Sequence, residues 1–263
     1  MLPDKLIIFD YSGTLTLEMP LFAQPGNLMR HLKSSGLFDL GVDNTALFWE
    51  IINATWMEGS TTGLGYKKVM QARILELFPA TARSRKQQAA KAISDFVDAY
   101  FSHAGIDRHW QPLLEKLSGN KSVTVIIATD HYAEASATII KNLAAWNIKA
   151  VPVLKAGGGN YIVANSADLG AHKSDLQFWE IVREVLPFVY RRVLLIDDFG
   201  QNEQAGDIYG TAAKINERRE KTTRILQSVF TAEVQDFSFI AQGNSLSLLI
   251  AETSAIIDQF VIK

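Results

Sequence analysis

The sequence predicts an α/β fold: a Rossmann-like parallel sheet flanked by helices, with an inserted all-helical cap domain. Short apolar runs recur along the chain, each continuous rather than alternating, which is typical of strands covered on both faces. Helical patterns separate the later runs, and a strand–helix–strand order favours parallel pairing with right-handed crossovers. The predicted strands are LIIF (6–9), VTVIIA (123–128), AVPVL (150–154) and VLLI (193–196).

The interval 17–105 follows the first predicted strand and contains helical patterns with no convincing strand among them. It is too long to be a simple crossover between neighbouring strands. We therefore predict a helical cap domain over 17–105, inserted into a Rossmann-like core made of 1–16 and 106–263. The segment HWQPLLEKLSG then forms the helix that leads back to the sheet.

The rest of the core is predicted from the same patterns. Apolar residues at steps of three and four predict helices over 132–146 and 173–186. The three glycines of KAGGGNY (155–161) favour a loop or a hairpin tip. The tail over 244–262 is predicted to be a helix packed on the core.

Composition narrows the class of partner. A hydrophobic content of 48% with 21% charged residues is ordinary for a soluble globular protein. A formal net charge of −2 gives no electrostatic attraction for nucleic acid or an anionic membrane, so neither partner is expected. The absence of cysteine excludes disulfides and thiolate metal sites. The sequence has no pattern of a signal peptide or a membrane span, so a cytoplasmic location is expected, while the oligomeric state stays open.

Asp10 is the first residue to suggest chemistry. It follows the apolar run LIIF, and the carboxyl end of a buried parallel strand is where open α/β sheets bind ligands. Gly13 and Thr14 then suggest a tight turn whose backbone amides suit an anion. Taken alone, DYSGT is equally compatible with a simple turn that ends a strand.

Further polar residues stand at comparable places. Thr129 ends the second predicted core strand, Lys173 lies near the start of a helix, and Asp197 and Asp198 end another apolar run. Two adjacent carboxylates repel each other and resist burial unless a cation or a proton compensates them. Mg²⁺, a hard cation that prefers oxygen ligands, is the natural compensation.

These segments resemble the four motifs of the haloacid dehalogenase-like superfamily, which consists mostly of phosphatases and phosphotransferases. The motifs are DYSGTLT, IIATD, the lysine of AHKSD, and LLIDDFGQNE, and they occur in that order. The helical interval falls between the first and second motifs, where many members carry a cap domain. The resemblance covers the core from residue 5 to about residue 206. It does not extend to the cap sequence or to the tail.

The resemblance implies a role for each matching residue. Asp10 is the expected nucleophile, which forms an aspartyl-phosphate and also binds Mg²⁺. Ser12 is expected to give the metal its backbone carbonyl. Thr129 is expected to donate to a phosphoryl oxygen, and Lys173 to neutralise charge on the nucleophile and the phosphate. Asp198 is the favoured acidic metal ligand, with Asp197 beside it or behind it.

Ser12 departs from the phosphatase pattern, in which an aspartate at this position protonates the leaving group and then activates water. A serine hydroxyl cannot replace it, and losing general acid–base help costs on the order of a hundred- to ten-thousand-fold in rate. Three relatives differ at the same position. P-type ATPases hold their phosphoenzyme. Dehalogenases lack the paired acids, which this sequence keeps as Asp197 and Asp198. Phosphonoacetaldehyde hydrolase uses a lysine of its cap domain.

The leading hypothesis is a Mg²⁺-dependent phosphatase or phosphotransferase that acts on a small phosphorylated metabolite. It is slow, or it needs an activated leaving group. The alternatives are a catalytically degenerate protein that binds a phosphorylated ligand or partner, and a phosphonatase-like hydrolase of C–P bonds. The candidate substrate contacts are Tyr11, Gly13, Thr14, Asp130, Lys67 and Lys68.

Overall fold

The computed structural model describes residues 3–79, 85–155, 161–204 and 206–262. At its centre is a six-stranded sheet in the order β3-β4-β2-β1-β5-β6, in which every neighbouring pair is parallel. The predicted α/β class with a parallel sheet is confirmed. The strands are β1 (Lys5–Phe9), β2 (Val123–Thr129), β3 (Ala150–Pro152), β4 (Tyr161–Asn165), β5 (Arg192–Asp197) and β6 (Glu233–Ser238).

Two of these strands are missing from the sequence prediction. β4 begins at Tyr161, the last residue of the segment predicted as a loop or hairpin tip, while 156–160 lie outside the described residues. β6 is a half-exposed edge strand whose sequence, EVQDFS, is mostly polar. An edge strand needs less apolar surface than a central one, so a search for continuous apolar runs misses it.

Helices flank the sheet and fill the segment between β1 and β2. The predicted helices over 132–146, 173–186 and 244–262 are present with shorter bounds. The helices are α1 (Glu18–Phe22), α2 (Pro25–Ser35), α3 (Thr45–Ser60), α4 (Tyr66–Leu77), α5 (Lys86–Ser102), α6 (Gln111–Ser118), α7 (Glu134–Ala144), α8 (Ser166–Leu169), α9 (Leu176–Val185), α10 (Ala212–Phe230) and α11 (Leu246–Ile262).

The two faces of the sheet carry separate apolar clusters, because successive side chains of a strand point to opposite faces. On β1, Ile7 and Phe9 join the cluster that α6, α7 and the tail helix α11 cover. Leu6 and Ile8 join the cluster on the other face, which α9 and α10 cover. The central strands are therefore buried on both sides, which explains their continuous apolar sequence.

Helices α1–α5 enclose a third apolar cluster, which takes in Phe48 and Phe96 from the helices and one side chain from beyond β2, Tyr132. In the described residues of 17–105 the regular elements are all helical. The backbone of Tyr66 donates to both Glu134 carboxylate oxygens at 3.0 Å, which ties α4 to the start of α7. A helical layer with its own core thus lies against the sheet. The exact division of the chain at residues 16 and 105 remains a prediction.

Within the described ranges, every helix is too short or too polar to cross a lipid bilayer.

Candidate active site

The strand register places the candidate residues at one edge of the sheet. Phe9, the last residue of β1, pairs with Ile127 on one side and with Ile196 on the other. Asp10 follows directly, and its backbone donates to the Ile196 carbonyl at 2.8 Å. Because parallel strands end at the same edge, residues that follow β1, β2 and β5 in sequence become neighbours in space.

Lys173 makes the central ion pairs of this edge. Its Nζ lies 2.6 Å from Asp10 Oδ1 and 2.8 Å from Asp197 Oδ2. The lysine side chain is only 2% exposed, so the interaction is shielded from solvent. Burial by itself would lower the pKa of Lys173, but the carboxylates of Asp10 and Asp197 raise it well above the ordinary value. Lys173 is therefore a permanent cation held between two acids.

Asp197 and Asp198 point in different directions. Asp197 faces Lys173 with one oxygen and accepts from the Phe199 amide at 2.6 Å with the other. Asp198 accepts from two backbone amides in the loop after β5, at 3.1 and 2.8 Å. Of the two, Asp198 lines the cavity that contains Asp10, so it is the acid that faces a ligand there.

The acids shift one another's titration. Burial, with the nearby charge of Asp197, raises the pKa of Asp10 to about 7, although Lys173 opposes the shift. Burial and the charge of Asp10 raise the pKa of Asp198 well above its ordinary value. A further cation between these carboxylates would offset both shifts.

Mg²⁺ fits this arrangement. Asp10, Asp197 and Asp198 each offer a carboxylate oxygen, and the three oxygens lie within 4.8 Å of one another. Oδ2 of Asp10 is buried without a hydrogen-bond partner, and a buried carboxylate oxygen without a partner is costly. Oxygen donors of this type are those that a hard divalent cation prefers. Asp10 and Asp198 would hold the ion, together with the Ser12 carbonyl that the resemblance implies.

Thr129 occupies the position predicted for it. It is the last residue of β2, it is 1% exposed, and it lines the same cavity as Asp10. Its Oγ1 has no hydrogen-bond partner. A buried hydroxyl that faces a cavity with no partner is available to donate to a ligand oxygen.

The loop after β1 packs tightly against the acids. Gly13 has φ +80°, and a Cβ at this position would lie 2.6 Å from Asp198 Oδ2. The Thr14 hydroxyl accepts from the Asp198 amide at 3.2 Å. Asn202 donates to the Gly13 carbonyl at 2.7 Å. Gly13 and Thr14 thus position the loops, and neither lines the cavity.

Ser12 has an acidic partner that the sequence analysis missed. Its hydroxyl donates to Glu203 Oε1 at 3.1 Å, and both residues line the cavity. Burial and the charge of Asp207 raise the pKa of Glu203 to about 8. The sequence did contain a signal, because Glu203 closes the segment LLIDDFGQNE and its spacing from Asp198 spans a single loop.

Two further residues, Asp130 and Tyr11, were predicted to contact the substrate, and only Asp130 lines the cavity. Asp130 lines the cavity and accepts from the Lys173 amide at 2.8 Å and from Tyr209 at 3.1 Å. Tyr11 is fully buried, and its hydroxyl donates to the Ala104 carbonyl, so it ties the loop after β1 to the end of the helical segment. It does not line the cavity.

Lys67 and Lys68 are not brought to the site. Lys67 pairs with Asp98 at 2.6 Å and donates to Ser94 at 2.9 Å, both on α5. Lys68 is exposed. Neither lysine lines the cavity around Asp10, so they have no place in the proposed site.

The cavity over the acids is small, about 60 Å³, and side chains from the helical segment close it. Trp56 of α3 and Tyr100 of α5 line it together with His131 and Tyr209. The contributions of Trp56 and Tyr100 could not be predicted from the sequence, since their helices carry no motif. A larger hollow of about 450 Å³ borders Leu17, and none of Asp10, Asp197 and Asp198 lines it.

His131 is neutral in this position. Burial lowers its pKa to about 4. Nδ1 accepts from the Tyr132 amide at 2.8 Å, which places the proton of the neutral ring on Nε2. Nε2 lies 3.2 Å from the Tyr100 hydroxyl and donates to it, so the Tyr100 proton is free for another acceptor.

Comparison with solved structures identifies the fold. A 2-haloacid dehalogenase from Pseudomonas syringae pv. Tomato DC3000 aligns with a TM-score of 0.50 and 18% identity, over 78% of this chain and 82% of that one. A HAD-family enzyme from Bacteroides thetaiotaomicron, in complex with magnesium and inorganic phosphate, aligns at 0.47 and 12% identity, over 93% and 98%. An L-2-haloacid dehalogenase from Xanthobacter autotrophicus, with chloropropionic acid covalently bound, aligns at 0.47 and 11%, over 96% and 88%.

No family model and no curated protein matches the sequence. The fold is that of the haloacid dehalogenase-like superfamily, as the motifs predict. At this level of identity the likeness establishes the architecture and leaves the reaction to the residues of the site.

Proposed function

We propose that the protein is a Mg²⁺-dependent phosphohydrolase or phosphotransferase that acts on a small phosphorylated metabolite through an aspartyl-phosphate on Asp10. One observation carries the proposal: Asp10, Thr129 and Asp198 are far apart in sequence, yet they line one small cavity, and Lys173 pairs with Asp10 at 2.6 Å. Phosphoryl transfer needs in-line positioning and charge stabilisation more than covalent help from the protein, and these side chains supply both.

In this mechanism an oxygen of Asp10 bonds to phosphorus while the bond between phosphorus and the leaving oxygen breaks. The departing oxygen takes up a proton. Water then attacks phosphorus, breaks its bond to Asp10 and releases inorganic phosphate. Lys173, 2.6 Å from Asp10, opposes the rise that burial causes in the pKa of this carboxyl, which favours its ionised form, and it balances the charge of the phosphoryl group. The Thr129 hydroxyl donates to a phosphoryl oxygen. Mg²⁺, when bound, neutralises the charge that develops on the phosphoryl oxygens.

The paired acids favour phosphate over a haloacid substrate. Asp198 faces the cavity beside Asp10, and an organic acid entering there would meet two carboxylates. A phosphate accompanied by a divalent cation removes this repulsion. Ser12 provides no carboxylate for proton transfer, so we expect slow turnover or a requirement for an activated leaving group.

The test is a panel of acetyl phosphate, p-nitrophenyl phosphate and simple phosphomonoesters, with and without Mg²⁺. We expect Mg²⁺-dependent phosphate release that falls to background in Asp10→Asn. Asp39→Asn, which removes an exposed acid of the helical segment, is the matched control and should behave as the wild type. Silence across the panel, with a phosphorylated compound still raising the melting temperature, would instead support the degenerate, ligand-binding alternative.

A further inference from the structure

A second cavity opens beside the first and belongs to the helical segment. It also measures about 60 Å³ and shares four lining residues with the cavity over Asp10. A single water needs roughly 10–15 Å³ of such space, so the second cavity admits a small organic group. The shared residues are Trp56, Tyr100, Glu203 and Asp207.

Aromatic rings form much of the wall of this second cavity. Tyr66 and Tyr132 stack at 4.0 Å between centroids, and Trp56 meets Tyr132 edge-on at 5.5 Å. Tyr100 packs edge-on against Tyr66 at 5.6 Å. The faces of electron-rich rings attract cations, above all weakly hydrated ammonium groups.

Two carboxyl groups line the second cavity, and burial raises the pKa of each, that of Glu203 to about 8. Glu203 and Asp207 border both cavities, and no lysine or arginine lines either one within the described ranges of the chain. His131, the one imidazole in the lining, is neutral because burial lowers its pKa to about 4. Arg218 lies near this region, but its guanidinium donates to the Phe199 and Tyr209 carbonyls and lines neither cavity. An anionic group entering the second cavity would therefore find no positive partner.

The acids of the second cavity are distinct from those assigned to the metal. Glu203 and Asp207 are not among the three carboxylates that lie within 4.8 Å of one another. Tyr132 also lines the second cavity and is only 2% exposed. Its hydroxyl has no hydrogen-bond partner of normal geometry, so it is available to a ligand. Thr55 lies near enough to this hydroxyl to oppose the rise that burial causes in the pKa of Tyr132.

From this juxtaposition we propose that the substrate is the phosphate monoester of a small amino or quaternary-ammonium alcohol, whose cationic end occupies the aromatic, acid-bordered cavity while its phosphate lies over Asp10. The inference rests on the proposed function, because it assigns the leaving group of that same reaction. The ammonium group contacts the Trp56 and Tyr100 rings, and its positive charge favours the ionised forms of Glu203 and Asp207, which then balance it. The ester oxygen of the ligand accepts a hydrogen bond from the Tyr132 hydroxyl.

Two pairs of probes test the inference. Choline phosphate and 3,3-dimethylbutyl phosphate have the same shape and differ by the positive charge, and their kcat/KM values are compared in the presence of Mg²⁺. Choline and 3,3-dimethylbutan-1-ol carry no phosphate and cannot turn over, so their Kd values are measured by calorimetry on the full chain. We expect the cation to be preferred by about tenfold in each pair.

Variants locate the preference in this cavity. Asp207→Asn keeps the oxygen that accepts from the Tyr209 amide at 2.8 Å but removes the charge, and the preference should fall below about threefold. Trp56→Leu removes an aromatic face and should reduce the preference in the same direction. Asp39→Asn makes the same change of net charge at an exposed site outside both cavities and should retain the full preference.

Separate outcomes distinguish the two proposals. Mg²⁺-dependent turnover of acetyl phosphate with no preference for the cationic probe in either pair overturns the substrate class and leaves the phosphohydrolase intact. Preference for choline with no phosphate release from any compound overturns the proposed function, and the substrate class with it. A preference that Asp207→Asn and Trp56→Leu leave unchanged also overturns the inference, because the cation then binds elsewhere.

Discussion

Replacement of Lys173 by methionine tests the electrostatic organisation of the site. The lysine side chain is 2% exposed, and its two partners, Asp10 and Asp197, are 7% and 4% exposed. Methionine fills similar space without a charge, so the variant leaves two buried carboxylates without their cation. Breaking a buried ion pair in this way costs about 3–5 kcal/mol.

The pH dependence of this loss follows from the direction of the Asp10 pKa. A carboxyl whose pKa is higher in the folded state binds its proton more tightly there, so stability falls as pH rises from the unfolded value toward the folded one. For the wild type this window runs from 3.8 to about 7. Without Lys173, which lowers the pKa of Asp10, the window extends to higher pH. The cost should therefore be clearly larger at pH 8 than at pH 5.5, where Asp10 is protonated in both proteins.

Urea unfolding at the two pH values, without added metal, measures the effect as a change in the free energy of unfolding. Lys68→Met, at an exposed lysine, is the control and should stay within about 0.5 kcal/mol of the wild type. Mg²⁺ should restore part of the lost stability in Lys173→Met. A loss below about 1 kcal/mol at pH 8, or one equal at both pH values, would refute the reasoning, because buried unpaired carboxylates could not then be its cause.

Two further predictions concern the loop after β1. Ser12→Asp introduces the carboxylate that the phosphatase pattern has, and it should raise the rate of phosphate release from an unactivated monoester at least about tenfold. Ser12→Asn is the neutral control. If the rate does not rise, proton transfer does not limit it. Gly13→Ala forces a side chain into the left-handed region at φ +80°, 2.6 Å from Asp198 Oδ2, and should cost about 1–3 kcal/mol in urea unfolding along with most activity. Gly63→Ala, in open space, should be tolerated, and equal effects of the two changes would contradict the strain argument.

The structure bears out the part of the sequence analysis that depended on strands. Strands β1, β2 and β5 are buried on both faces, so their apolar runs were continuous and visible, and the polar residue after each run was visible as well. Asp10 and Asp198 were predicted as site residues for this reason. The internal strand β4 is also buried, but it begins at the last residue of the segment predicted as a loop and was missed. The sequence analysis missed the edge strand β6 because the strand is half-exposed and most of its residues are polar.

The sequence analysis missed the cavity contacts from the helical segment for a different reason. Lys67 and Lys68 were chosen as lysines of the predicted cap, where phosphonoacetaldehyde hydrolase uses a lysine, yet the structure pairs Lys67 with Asp98 and leaves Lys68 exposed. Trp56 and Tyr100, which do line the cavity, look in sequence like ordinary apolar positions of amphipathic helices. Residue type alone could not show which helical face turns toward the sheet.

The sequence by itself determined the parallel sheet and the acids at its carboxyl edge. Burial on both faces and the order of strand, acid and glycine each depend on residues that are neighbours in the chain, so a local pattern predicts them. Only the tertiary structure decided which of the paired acids faces the cavity, that Glu203 contacts Ser12, and that aromatic rings of the helical segment close over the site. Those contacts join residues far apart in the chain. Their distances depend on how helices pack against the sheet, which no local pattern specifies.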